Sequence, residues 1–357
     1  MVKGRISVIT LSYNNLQYYK ECLESILCQS YHDIEWILSD DCSDDFGEYI
    51  NKIEEMVRNN TGNISNYVIR QNSCNMGVVK NYKQAIDICT GEYIFYLAID
   101  DLFYDKDVLK DVVQYFKTTG LQIFTGYRER FYKDGRLEVR PSKYEADVLK
   151  SGNIDKILSR SIRVAIIIGS CTPFKKELVD KYGFVEDKYT HLEDWPRYLN
   201  LLENSVKIGF LERCLVKYRD GGITFENVTN EKLICDFRML FSKYMYPPYS
   251  DMMPAMKDKK YIIAWGAAGG AVKCLNKWET IIKREIDFIV DSDEKKWGRF
   301  IEGKKIYSPE LISELDKNDI YILIFSITYY LEIAQELEKI GLEEGKNFDI
   351  VTKDRVL

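Results

Sequence analysis

Apolar residues in the first hundred positions fall into two alternating rhythms. Short unbroken apolar runs at Arg5–Leu11 (RISVITL), Ile34–Ser39, Tyr67–Arg70 and Tyr93–Ile99 read as buried strands. Between them, Leu16–Gln29, Glu48–Arg58 and Val78–Ile88 space apolar residues three and four apart, as in Tyr19, Leu23, Ile26 and Leu27. That is the pattern of a helix with one buried face. Repeated strand–helix units predict an α/β fold with a mostly parallel sheet and helices on both of its faces.

The beat then loosens. A helix is expected over Leu109–Phe116, strands within Leu121–Val139 turning at Lys133–Gly135, and a short apolar run within Ser161–Ser170. A helix over Glu193–Glu203, strands over Ser205–Leu211 and near Cys214–Arg219, and a closing helix over Glu231–Tyr244 follow. Tyr244–Asp258 holds three of the seven prolines and breaks every period, so it reads as a linker. Its Met and Tyr residues are the candidate for peripheral membrane contact. Beyond it, strands at Lys260–Trp265, Asp287–Val290 and Ile320–Ser326 and a helix at Tyr329–Ile340 predict a smaller second α/β unit. The expected division is 1–243, a linker over 244–258, and 259–357.

Composition narrows the function classes. A net charge of −6 argues against a nucleic-acid partner, which calls for a basic face. Nine cysteines include no CxxC pair, which fits reduced thiols in a cytoplasmic protein better than a zinc ribbon or a disulfide framework. Only two histidines exist, so a bound metal would need oxygen ligands, and that means Mg²⁺ or Mn²⁺. No apolar run reaches the roughly 18 residues of a membrane span.

Acidic groups recur at strand ends. Asp40-Asp41 follow the second strand, Asp100-Asp101 the fourth, and Glu193-Asp194 precede Trp195-Pro196. Each has a structural reading, because Asp and Ser cap helices and acids favour a first helical turn. The functional reading is that carboxylates at the carboxyl edge of a sheet stand where α/β folds bind ligands. Two adjacent carboxylates repel, and a divalent cation relieves them.

The blocks SVITLSYNN, LSDDCSDD, NMGVVKNYKQA, GEYIFYLAIDD, GSCTPFKKELVDKYGF, HLEDW and VKYRDGG run in order from residue 5 to about 225. In order and spacing they resemble family 2 glycosyltransferases of the GT-A fold. The resemblance implies a catalytic domain over 1–243 that moves a hexose or N-acetylhexosamine from a UDP-sugar to a saccharide hydroxyl with inversion. It implies that Asp41 contacts uracil, that Leu11, Ser12 and Tyr13 line the base pocket, that Asp100 meets the ribose, and that Asp101 holds the metal. Lys80 and Arg219 are the phosphate candidates, Asp194 the general base, and Glu193 the fallback base or an orienting group. The acceptor it implies is a surface polysaccharide, O-antigen or capsule unit, lipid-linked or not, at the cytoplasmic side of the membrane. Two departures stand out: Ala98 occupies a place where many relatives carry Asp, and Asp220 follows Arg219 where many carry His.

In the second unit, Gly266, Gly269 and Gly270 with Asp291 resemble a dinucleotide turn, although Ala268 replaces its middle glycine. A Rossmann-like nucleotide-binding domain is expected, against the alternative that the glycines only allow close packing. Two other readings of the chain stay open. One is a catalytically silent nucleotide-sugar sensor or scaffold, and the other is an oxidoreductase or epimerase acting through the second unit.

Overall fold

The computed structural model describes residues 1–60, 62–221, 230–244, 246–267, 275–276, 278–280 and 282–351. These form two compact units, Met1–Ser161 with Ala165–Phe237, and Ile162–Val164 with Arg238–Leu357.

The first unit opens with the expected alternation: β1 (Val2–Ser12), α1 (Tyr19–Leu27), β2 (Ile34–Asp40), α2 (Phe46–Arg58), β3 (Ile64–Gln71), α3 (Val78–Ile88) and β4 (Gly91–Tyr96). Then come β5 (Leu102–Phe103), α4 (Val108–Thr119), β6 (Phe124–Phe131), β7 (Leu137–Arg140), α5 (Lys143–Lys150) and α6 (Ile154–Arg163). The unit closes with β8 (Phe174–Lys175), α7 (Glu177–Tyr182), α8 (Trp195–Glu203), β9 (Gly209–Arg219) and the start of α9 (Glu231–Tyr244). The main sheet has the order β3-β2-β1-β4-β8, parallel except for β8. A smaller sheet, β5-β9-β6-β7, carries the β6–β9 pair in parallel. Every residue of β2 is buried, and Ile6, Val8, Trp36, Leu38 and Phe95 join one core with α1 and α4. This explains why these strands read as continuous apolar runs.

Several expectations change. β4 ends at Tyr96, three residues early, because the Asp101 N–H closes a turn on the Ala98 carbonyl at 3.0 Å. Leu97 and Ile99 still donate to the Ile9 and Leu11 carbonyls, which keeps the chain beside β1 as it delivers Asp100-Asp101 to the sheet edge. The two strands expected over 205–219 are one strand, β9. Its pairing with β6 slips between Thr125 and Arg128, and that bulge interrupts the apolar pattern. α8 begins at Trp195, so Glu193 lies ahead of the helix and Asp194 is its N-cap. α5, α6 and α7 were not expected.

The second unit adds α10 (Tyr246–Lys257), β10 (Tyr261–Trp265), β11 (Phe288–Val290), β12 (Phe300–Ile301), β13 (Lys304–Tyr307), β14 (Ile320–Ile324), α11 (Tyr330–Lys339) and β15 (Phe348–Ile350). Where a linker was expected, α10 runs through Pro254 and buries Met252 and Met256 in this unit's core. Apolar burial outweighs the hydrogen bond that an internal proline removes. The sheet order is β12-β13-β11-β10-β14-β15, with only β12 antiparallel to its neighbour. Among the described residues, no helix is long and apolar enough to cross a membrane.

Candidate active site

A cavity of about 570 Å³ opens in the first unit at the carboxyl edge of the main sheet. The parallel register sets Ser12 opposite Asp40 and Ile9 opposite Tyr96, so β1, β2 and β4 end side by side there. Leu11, Ser12, Tyr13, Asp41, Asp100, Asp101, Glu193 and Asp194 all line the cavity.

The loop after β2 is built by its two aspartates. Asp40 accepts bonds from the Ser12 hydroxyl at 2.9 Å and the Ser43 N–H at 2.7 Å. Asp41 points the other way. Its Oδ1 accepts Asn72 Nδ2 at 2.8 Å and the Met76 N–H at 2.9 Å, and its Oδ2 accepts the Gly77 N–H at 2.8 Å. Asp41 therefore shapes the Asn75-Met76-Gly77 turn, and Oδ2 keeps acceptor capacity beside the cavity. Gly77 has φ +85, and a Cβ there would stand 3.2 Å from the Thr190 carbonyl. Only glycine meets both conditions at low cost.

Asp101 is 1% exposed. Its Oδ1 accepts the Arg219 N–H at 3.0 Å, whereas Oδ2 is buried without a hydrogen-bond partner. Burial pushes its carboxyl well above the usual carboxylate range, and the Asp100 charge adds to the effect. Burial raises Asp100 as well. A buried carboxylate oxygen without a donor, beside a second carboxylate, fits a divalent cation. Among the described residues, no three or more His, Cys, Asp or Glu side chains converge to hold a metal. The fit therefore rests on Asp101 with Asp100.

Glu193 and Asp194 form the second acidic pair. Burial, then the Asp194 charge, push Glu193 up to about 8. Burial also raises Asp194, but the Trp195 and Gly169 backbone N–H groups and the Arg128 charge pull it part of the way back. The Trp195 N–H lies 2.5 Å from Asp194 Oδ1, and Pro196 continues the first turn of α8. At about 8 Glu193 keeps its proton near neutral pH, while the backbone donors and Arg128 favour the charged form of Asp194, an arrangement for one hydrogen-bond donor beside one proton acceptor.

Lys80 and Arg219 are not brought to the cavity. Lys80 is exposed on α3, whose Val78 and Asn81 face the cavity instead. The Arg219 guanidinium bonds the Asp100 carbonyl at 3.0 Å and Glu21 at 2.6 Å, over the ring of Tyr18. Its backbone N–H holds Asp101, and its charge acts on Asp100 and Asp101 from outside the lining. Two arginines line the cavity: Arg140, which pairs with Glu145, and Arg128 on β6, stacked 4.0 Å over the Tyr218 ring with its Nε buried and unpartnered. Arg128 stands within electrostatic reach of both Asp101 and Asp194. Gly169 and Ser170, in the short turn Gly169–Cys171, also line the cavity. Nothing local in YRERF marks Arg128; Gly169 and Ser170 stood inside the GSC block with no role attached.

In the second unit, Asp291 is buried and already engaged. Its Oδ2 accepts the Ala267 N–H at 2.6 Å, its Oδ1 the Asp293 N–H at 2.8 Å, and Lys296 Nζ lies 3.0 Å away. The carboxylate grouped with the dinucleotide-like turn thus ties down the turn after β10 by its own bonds. Gly266 sits in that turn with φ +115, and Gly269 and Gly270 lie outside the described residues.

Residues 7–183 match the family model of glycosyl transferase family 2, and residues 257–348 match a model described as C2185-like, N-terminal. The chain is 28% identical over 181 residues to the poly(ribitol-phosphate) beta-N-acetylglucosaminyltransferase TarP of Staphylococcus aureus, across 50% of each protein. It thus spans about half the length of that relative. The fold is similar to that of S. aureus TarS residues 1–349 in complex with UDP-GlcNAc, with a TM-score of 0.52 and 18% identity over 67% of this chain and 66% of that one. It is also similar to that of the mannosyltransferase PcManGT from Pyrobaculum calidifontis in complex with GDP-Man and Mn²⁺, with a TM-score of 0.50 and 16% identity over 67% and 63%.

Proposed function

Because its first unit belongs to glycosyl transferase family 2, we propose that this chain is an inverting glycosyltransferase. It moves a hexose or N-acetylhexosamine from a UDP-sugar to a hydroxyl of a saccharide acceptor. The observation that carries this reading is two acidic pairs with raised pKa values, Asp100-Asp101 and Glu193-Asp194, in one cavity at the sheet edge, Asp101 buried and the other three half-buried. The relative that acts on poly(ribitol-phosphate) supports an acceptor in surface-polymer assembly.

In this mechanism Leu11, Ser12 and Tyr13 hold the uracil with the free acceptor capacity of Asp41, and Asp100 meets the ribose. Asp194 takes the proton of the acceptor hydroxyl as its oxygen attacks the anomeric carbon. The bond from that carbon to the diphosphate breaks, and its electron pair leaves with UDP. A positioned base of this kind contributes roughly 10²–10⁴-fold. Glu193, held neutral, donates a hydrogen bond that orients the acceptor. Arg128, in the cavity lining, offsets negative charge there, with Arg219 acting on Asp100 and Asp101 from outside it. A Mg²⁺ or Mn²⁺ ion held by Asp101 and Asp100 would neutralise the diphosphate and ease its departure.

A screen of UDP-sugars, reading UDP release with and without Mn²⁺, tests the assignment. Release from at least one donor, dependent on Asp194, is expected. UDP raising the Tm with no release from any donor would overturn it in favour of a silent sensor.

A further inference from the structure

The segment that carries the acidic pair is tied down at a point the reaction does not use. Asp236 on α9 is 1% exposed, and its Oδ2 accepts three successive backbone N–H groups: Thr190 at 2.8 Å, His191 at 2.6 Å and Leu192 at 3.1 Å. Three donors converging on one buried carboxylate oxygen form a strong anchor, because charge-assisted bonds are about twice as strong as neutral ones. The anchored residues end one position before Glu193. The other side of the segment meets the donor half of the cavity, since the Thr190 carbonyl accepts the Val79 N–H at 3.4 Å, at the first turn of α3. Asn230 adds a brace: its Oδ1 accepts the Lys232 and Leu233 N–H groups, and its Nδ2 lies 3.4 Å from His191 Nε2.

Asp236 lies 42 residues beyond Asp194 in the chain (236 − 194) and does not line the cavity. Its carboxylate is spent on these main-chain groups and on the Thr190 hydroxyl, 3.5 Å from both of its oxygens. We propose that Asp236 is a positioning residue that fixes the Thr190–Leu192 segment and thereby sets where Glu193 and Asp194 stand. This inference rests on Asp194 being the base. Its placement relative to the donor follows from a rigid segment held at one side by Asp236 and at the other by α3.

The test uses the full chain and Asp236→Asn, which keeps the shape and removes the charge. Amide hydrogen exchange, read by mass spectrometry over peptides covering 190–192, should quicken about tenfold or more, while peptides in β1 and β2 stay unchanged. In the donor assay kcat should fall about 10–100-fold, the scale of a misplaced catalytic group, with the donor KM and UDP affinity within about threefold of wild type. Unchanged exchange at 190–192 in the folded variant would overturn the anchor. Faster exchange with wild-type kcat would overturn the positioning role, as would kcat and KM worsening together with a general loss of protection. If Asp236→Asn does not fold, Asp236→Ser, with room for a water on the same amides, is read in the same way. A wild-type chain that releases UDP from no donor would count against the assigned function, and the exchange arm would still decide the anchor.

Discussion

Substituting Gly169 by alanine should disable the enzyme by crowding its base without touching the donor side. A Cβ at position 169 would fall 2.9 Å from both Cβ and Oδ2 of Asp194, and 3.3 Å from Cγ. Carbon does not approach a neighbour this closely, so one of the two must shift. Asp194 is half-buried at the N-cap of α8, and its Oδ1 is held by the Trp195 N–H, so the carboxylate cannot swing clear without losing that bond. A displacement of some tenths of an ångström to about 1 Å at a reacting group costs up to roughly 10²-fold in rate. That corresponds to about 2.7 kcal/mol of barrier at 1.36 kcal/mol per decade. Overpacking a tight site adds a stability cost of about 1–3 kcal/mol. Initial rates of UDP release against donor concentration, with thermal unfolding in parallel, separate the two effects. The expected result is a kcat lower by one to two decades, with the donor KM and UDP affinity preserved. A variant whose kcat stays within twofold of wild type would refute the argument that Gly169 leaves room for the base.

The other predictions follow from the same cavity. Asp194→Asn should retain UDP binding and lose about 10²–10⁴-fold in kcat, and surviving turnover would dismiss Asp194 as the base. Asp101→Ala should remove the thermal stabilisation that UDP gives only with Mn²⁺, which scales as RT ln(1 + [L]/Kd); an intact metal-linked shift would place the ion elsewhere. Glu193 sits at about 8 in the folded protein against an ordinary 4.5, so the folded state keeps a proton that the unfolded chain releases. Stability is then fully present at low pH and falls as pH rises through that window. Glu193→Gln should flatten the decline of Tm between those limits, leaving the residual slope from Asp100, Asp101 and Asp194, which are raised in the same direction. Parallel curves for the two proteins would refute that reading.

The strand–helix alternation through β4 was legible because each element buries its own apolar face, and periodicity reports burial locally. The carboxylates at the ends of β2 and β4 were legible for a related reason, since a polar group just past a buried strand has only the sheet edge to occupy. What the chain brings together over long distance was not. Arg128 reaches the site from the second sheet, Gly169 is defined by a side chain 25 residues away (194 − 169), and Asp236 serves amides 44 to 46 residues before it. No window of residues records such pairings. α5 was missed although Ser142 and Glu145 form a capping box at its start. The expectations for Lys80 and Arg219 went astray differently. Charge marks a residue as able to meet phosphate, but the helix phase of Lys80 and the partners of Arg219 decide where each side chain is spent.

Arg219 illustrates a kind of constraint that no catalogue of side chains would record. What orients Asp101 is the main-chain N–H at position 219, presented by the end of β9. Any residue except proline supplies that donor, so the orientation of the metal-side carboxylate depends on strand alignment, not on amino-acid identity. An insertion or deletion within β9 would slide the donor by about 3.3 Å per residue and release Asp101. For this contact the chain is free to change its letters at position 219 but not its count of residues.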